Sequence, residues 1–312
     1  MTNELRIKDL QDKIKQYQNS LGKFDVVDLK FTNKWGQEYS IRTYLKDGKR
    51  YLSTSAATSC ICEPGLQLNF QKTSWLDNQR RTWKGCVIGS AVHFMAENPK
   101  ITIDDALFES LRKNPYFQEI DDWYNKTVPL ILESIGKAYL GYRDLWSKSK
   151  FISLGKEITF FNDELMIAGT IDDLVYSPVT NKFGILDLKT GNTTNGVSIE
   201  SKMSCYKFLA ESNLIDIIEL SSPLFFTIFD LPKDPEDKNG YFFTYNHYDL
   251  NLDSFLGALA IFKVAHWKQL KTFWPGWDER IKNVFNLNHL DFCDPDDDVR
   301  NENIAMSLTE NQ

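Results

Sequence analysis

Asp187 and Lys189 stand on either side of one leucine in the run Gly184-Ile-Leu-Asp187-Leu-Lys189-Thr-Gly191. In an extended strand, residues two apart share a face. This spacing therefore holds a carboxylate and an ammonium side by side, while Leu186 and Leu188 point into the opposite layer. The preceding run, Gly169-Thr-Ile-Asp172-Asp173, supplies further carboxylates. If the two runs pair as antiparallel strands, Asp172 comes close to Asp187. Two converging carboxylates bind a divalent cation readily, and Mg²⁺ favours oxygen ligands with several waters retained. Such a cation polarises a phosphodiester oxygen and lowers the pKa of a bound water, and Lys189 would orient that water or stabilise the developing charge. An isolated Asp-x-Lys triplet is common on solvated strand edges. The apolar flanks, Asp172 on a neighbouring strand and a helix directly afterwards together favour chemistry.

Rigid elements must position these groups. Leu5, Ile7, Leu10, Ile14 and Tyr17 predict an amphipathic helix within residues 1–22. Residues from Val26 to Leu52 read as strand, with Asp47-Gly48 turning a hairpin between Ser40–Leu45 and Arg50–Leu52. The Ser/Thr-rich stretch after Leu52 predicts a short capped helix, and Glu63-Pro-Gly65 a turn. A longer helix runs through Gly89 to Glu97 and stops before Pro99, followed by helices over 102–113 and 129–149, the latter with Pro129 in its first turn. Three strands follow as a meander, Phe151–Phe161, Leu165–Tyr176 and Lys182–Lys189. Then come a helix over about Val197–Ser212, a hairpin of strands near Leu224–Asp230 and Tyr241–His247, and a helix over Leu252–Thr272 burying Phe255, Leu259, Phe262 and Trp267. The order helix, three strands, helix, strand predicts an α/β fold. Its expected parts are an N-terminal helix and hairpin (1–52), a main domain (53–290) and an acidic, mobile tail (291–312).

A net charge of −7 gives no overall attraction for polyanions, so any contact with nucleic acid must be local. The segment from Lys72 to Lys84 offers one such surface, interleaving Arg80, Arg81 and Lys84 with Trp75 and Trp83. It suits phosphate contact and base stacking, and equally a solvated helix face over two core tryptophans. Cysteines at 60, 62, 86, 205 and 293 form no CxxC pair and suggest reduced thiols. The Cys60-Ile-Cys62 spacing is too tight for an ordinary structural zinc site. No apolar run reaches the length of a membrane span, and an intracellular protein is expected. The Gly-Lys pairs at 22–23, 48–49 and 136–137 lack the rest of a Walker loop.

With Gly89-Ser-Ala-Val-His93 on the helix ahead of the strands, Asp172 and Asp187-Leu-Lys189 on the strands and Tyr206 on the helix after them, the sequence resembles the PD-(D/E)XK nuclease superfamily. The likeness is to its RecB-like branch, which includes phage recombination exonucleases, CRISPR adaptation nucleases and mitochondrial genome maintenance exonucleases. It covers approximately residues 53–230, and Leu52-Ser-Thr-Ser-Ala-Ala-Thr, Pro64-Gly-Leu66 and Trp83-Lys-Gly85 look like the opening segment of phage members.

The resemblance implies a restriction-endonuclease-like core, a central mixed β-sheet flanked by helices, with helical N-terminal additions. It also implies that His93, Asp172, Asp187 and the main-chain carbonyl of Leu188 ligate Mg²⁺ or Mn²⁺, with Asp172, Asp187 and Lys189 catalytic. Glu97, one helical turn beyond His93, is placed to support it or to reach the metal through water. Arg80, Arg81, Lys84, Lys202 and Tyr206 are the expected substrate-binding residues. The helix after Asp-x-Lys usually presents Gln-x-x-x-Tyr in this branch, and here it reads Lys202-Met-Ser-Cys-Tyr206. Members with an iron–sulfur cluster carry grouped C-terminal cysteines, whereas this chain has only Cys293 there, so no cluster is expected. The implied activity is a DNA nuclease, an exonuclease in recombination, repair or replication, in the cytoplasm of a bacterial or phage-infected cell. A single-strand annealing or recombination protein, or a helicase, would be its partner. The alternatives are a catalytically silent DNA-binding or assembly module of the same fold and an RNA-directed nuclease.

Overall fold

The computed structural model describes residues 3–32, 38–58, 74–190, 196–218, 220, 223–231, 241–245, 250 and 252–285. Cys60, Cys62, the Glu63–Gly65 turn, Lys72, His247, Cys293 and the acidic tail lie outside them. Helix α1 (Asn3–Ser20) is followed by an antiparallel meander of β1 (Asp25–Thr32), β2 (Glu38–Lys46) and β3 (Lys49–Ser53). The expected Asp-Gly turn joins β2 to β3, with Asp47 at φ 49° and Gly48 at φ 77°, the positive angles a two-residue hairpin needs. The helices α2 (Thr54–Thr58), α3 (Trp75–Glu97), α4 (Ile103–Lys113) and α5 (Asp122–Ser149) come next. After them stands the expected meander of β4 (Ile152–Asn162), β5 (Ile167–Ser177) and β6 (Lys182–Lys189). Helix α6 (Gly196–Ile218), the strands β7 (Phe225–Asp230) and β8 (Tyr241–Tyr245), and helices α7 (Leu252–Phe273) and α8 (Trp277–Phe285) complete the chain as described. The fold is α/β, one mixed eight-stranded sheet flanked by helices.

Strand β5 is the hub. One of its edges pairs with β4 along almost its whole length. The other edge is divided: β3 runs parallel to it at Ile167 and Ala168, and β6 antiparallel to it from Asp173 to Ser177. Between these two contacts the edge opens into a fork, and Asp172 stands where β6 begins to separate. Gly169 lies in the same fork because Thr54 and Tyr206 pack directly on the strand there. A Cβ at Gly169 would press against the Thr54 hydroxyl and come within 2.5 Å of the Tyr206 ring.

Each face of the sheet buries its own apolar layer. On one face Ile14 of α1, Ile171, Leu174, Ile185, and Met203 and Tyr206 of α6 pack together. On the other, helices α3 and α5 contribute Val92, Ile131 and Ile135, which meet Val175, Leu186, Leu188 and Phe229. Leu186 and Leu188 thus occupy the layer that strand alternation assigns them, which leaves Asp187 and Lys189 on the face that carries α6.

One sequence expectation changes. Helix α5 begins at Asp122, so Pro129 lies inside the helix and not in its first turn. The cap explains this. Asp121 accepts the Tyr124 N–H at 2.8 Å and pairs with Arg80 at 2.5 Å, while Trp123 and Tyr124 pack on Trp83. These contacts outweigh the one helical hydrogen bond that proline forfeits. The boundary at 52/53 falls within β3, whose pairing to β5 makes the N-terminal strands part of the same sheet. No described helix is long and apolar enough to cross a membrane. The close approach at Gly169 gives a direct test: Gly169→Ala should destabilise the protein by about 3 kcal/mol in urea unfolding, the upper range for overpacking. An unchanged midpoint would contradict the packing.

Candidate metal centre

Sheet register builds the site. On β4, the pairs Lys156↔Asp173 and Ile158↔Ile171 place Glu157 opposite Asp172. On β6, the pair Asp173↔Leu186 makes Asp172 and Asp187 the next residues outward. Three carboxylates therefore stand in one row across three adjacent strands. His93 reaches the row from α3, its Nδ1 lying 3.8 Å from Asp172 Oδ1 and 3.9 Å from Glu157 Oε1. His93, Glu157 and Asp172 each offer a ligand atom within 4.8 Å of the others. Ligands about 2.1 Å from one octahedral cation lie roughly 3 to 4 Å apart, so small side-chain movements suffice to gather these groups around an ion. The mixture of imidazole and carboxylates suits Mn²⁺ as well as Mg²⁺.

Burial and neighbouring charges set the electrostatics of the site. Burial raises the pKa of Asp172, and the nearby Asp187 raises it further. His93, Lys189 and the Leu188 N–H, which donates to Asp172 Oδ2 at 2.6 Å, oppose the shift. Burial works against the charged form of His93, but Asp172 and Glu157 outweigh it and lift the imidazole from 6.5 to about 9. Asp187 is buried too, yet Lys189 and Lys202 hold its pKa below the ordinary carboxylate value. Behind the row, burial pushes Asp173 up to about 7 although Ser153 donates to it at 2.7 Å. Burial and Glu157 raise Glu97. His93, Glu97, Lys156, Glu157, Asp172 and Leu188 are among the residues lining the cavity at this point.

Backbone geometry marks Glu157 in particular. It has φ 49°, the left-handed region that costs a side chain with a Cβ roughly 1–2 kcal/mol. Lys156 beside it donates to the Ala96 carbonyl near the end of α3, tying the helix that carries His93 to the strand that carries Glu157.

The structure brings His93 and Asp172 together as expected and adds Glu157, which sequence reasoning missed. The signal was available in Lys156-Glu157, two adjacent charges where an alternating strand has room for one, the mark of a local irregularity. Asp187 is next in the row, but its carboxylate is engaged by Lys189 and lies 3.9 Å from Lys202 Nζ. Leu188 turns its N–H to Asp172, and its carbonyl shares that strand edge. Glu97 is half-buried on the cavity wall, and Tyr206 is buried under Lys202, whose Nζ sits 5.2 Å above its ring.

The basic stretch divides. Arg80 is held by Asp121 and lies 4.7 Å over Trp123, and Trp83 is buried with its N–H on the Asn114 carbonyl. These two serve packing. Trp75 and Arg81 are exposed and Lys84 is half-buried. Lys84 lies nine residues before His93 on α3, roughly 13 Å along the axis. No family model and no curated protein matches the chain.

Two measurements probe this centre. Glu157→Gly should relieve the backbone strain and raise the melting temperature by about 2 °C while weakening Mn²⁺ binding. Glu157→Gln should weaken binding with no gain in stability. A Glu157 with only a structural role would leave Mn²⁺ affinity untouched in both. The second measurement follows from His93. With its pKa at about 9, the imidazole carries a proton at pH 7 that it must lose to ligate a metal. Mn²⁺ binding at pH 7 should release about one proton, seen as a buffer-dependent calorimetric enthalpy, and affinity should rise as pH increases towards 9. A buffer-independent enthalpy would remove His93 from the ligand set.

Proposed function

We propose that the chain is a metal-dependent DNA nuclease of the PD-(D/E)XK kind. The observation that carries this reading is the row Glu157, Asp172 and Asp187 across adjacent strands, with His93 above it and Lys189 beside it. Glu157, Asp172 and His93 would hold Mg²⁺ or Mn²⁺, with the Leu188 carbonyl and Asp187 at the edge of the same site. When bound, the ion supplies Lewis-acid polarisation of a phosphodiester oxygen and a water acidic enough to attack at neutral pH. Lys189 stands on a rigid strand with Asp187 fixing its ammonium. From there it orients the water and offsets charge on the phosphoryl oxygens. The Leu188 N–H fixes Asp172 and Lys156 fixes the end of α3, so the carboxylate and the imidazole meet the substrate already oriented. With the chain at −7 overall, substrate contact is local and should weaken as salt rises.

Purified protein with Mg²⁺ or Mn²⁺ should cleave linear single- or double-stranded DNA. Asp172→Asn and Lys189→Ala should each lower the rate by about 10³-fold or more with circular dichroism unchanged. Intact DNA across a range of salt and pH would sink the proposal, and competition with matched RNA strands decides which polymer is preferred.

One observation favours a second reading, a catalytically silent DNA-binding module. Asp187 is already neutralised by two ammoniums, as a site with no use for metal would be. Calorimetric titration with Mn²⁺ separates the two, because a silent module has no reason to bind the ion at His93, Glu157 and Asp172.

A further inference from the structure

Lys202 is the second of two ammoniums drawn to one buried carboxylate, and its position in the fold gives it a use. It projects from α6 towards β6, with Nζ 3.9 Å from Asp187 Oδ1 and 5.2 Å above the ring of Tyr206. Tyr206 is buried and packs against β5 at Gly169, so the Lys202 ammonium lies over a fixed ring while its side chain stays 23% exposed. Lys189 engages the other oxygen of the same carboxylate. Two ammoniums thus share one aspartate. One is closely paired; the other stands at the outer limit of an ion pair.

Competition for one carboxylate indicates what the looser ammonium is for. A divalent cation bound near Asp187 and the two ammoniums are attracted to the same oxygens. Of the two lysines, Lys202 has the longer separation to lose, and its exposure gives it somewhere to go.

Resting on the nuclease reading above, we propose that Lys202 is a phosphate-gripping residue of this site, held on Asp187 until a divalent cation claims that carboxylate. Cation binding thereby delivers an ammonium to the DNA backbone. As a point charge on a flexible stem, lysine suits a phosphate whose position changes as the strand moves. The arrangement couples the two ligands: a cation bound near Asp187 favours phosphate on Lys202, and phosphate on Lys202 favours the cation by the same factor.

The role makes two affinities move in opposite directions, which a structural defect does not do. In Lys202→Met, Mn²⁺ binding without DNA should tighten by about threefold or more, because a competing positive charge has been removed. Binding of a fluorescein-labelled single-stranded oligonucleotide in Ca²⁺, followed by anisotropy, should weaken about tenfold, with a salt dependence shallower by about one phosphate contact. Lys202→Arg should keep most of the oligonucleotide affinity, and thermal melting should show all three proteins folded. If both affinities fall together, or oligonucleotide binding is unchanged in Lys202→Met while the wild type cleaves DNA, the role of Lys202 is overturned and the nuclease reading stands. If the wild type binds neither Mn²⁺ nor the oligonucleotide, both fall.

Discussion

Like charges forced into register are the constraint on which this structure turns. Pairing of β4, β5 and β6 sets Glu157, Asp172 and Asp187 in one row, and directly opposed like charges destabilise a sheet. Burial adds to the difficulty at Asp172 and Asp187, though not at the exposed Glu157, since a carboxylate removed from water must be paired or protonated. The response differs along the row. Asp187 meets ammonium groups and stays readily ionised, whereas at Asp172 burial and Asp187 outweigh His93, Lys189 and one main-chain N–H and shift it towards protonation. The centre of the row is where burial outweighs the positive charge around it.

The rest of the fold supplies the surroundings of that point. Because β5 shares one edge between β3 and β6, it leaves a fork with Asp172 at its mouth. Helix α3 crosses the other side, and Lys156 holds its end so that His93 meets the row. Helix α6 closes the opposite face, and only a glycine at 169 lets Tyr206 come close enough to support Lys202. The sequence rule that placed Leu186 and Leu188 in one layer and Asp187 and Lys189 on the other is what makes this division of labour possible: the same strand anchors the sheet and arms the site.

Much of this was legible in the amino-acid order, and the parts that were not share a cause. The meander, the hairpin at Asp47-Gly48 and the flanking helices follow from periodicity and turn chemistry, which are local. Asp172, Asp187 and Lys189 stand out because residue type and spacing mark them, and His93 through the resemblance. Glu157 did not, because its membership depends on the register between β4 and β5 and on a left-handed backbone angle, neither of which is a property of its own neighbourhood in sequence. The start of α5 was misplaced for a similar reason: Pro129 is the loudest local signal, but Asp121 gains its partner Arg80 from a helix 41 residues earlier. Composition suits Arg80 equally to phosphate contact and to a solvated helix face, and only tertiary structure reveals that its charge is paired with Asp121.

Arg80 and Lys202 differ in how their carboxylate partners are shared. Arg80 has one carboxylate, Asp121, at 2.5 Å, a tyrosine hydroxyl and an aromatic ring beneath it; the group is satisfied where it stands. Moving it to a ligand would leave Asp121 without its ion pair, with only the Tyr124 N–H still held at the cap of α5. Lys202 shares its carboxylate with Lys189, so Asp187 keeps a partner if Lys202 leaves. Nothing in the fold is broken by the departure. The distinction lies in stoichiometry more than in exposure, since the two side chains are nearly equally covered, at 18% and 23%. A cation beside a shared acid can move without leaving that acid unpaired, and a matched one cannot.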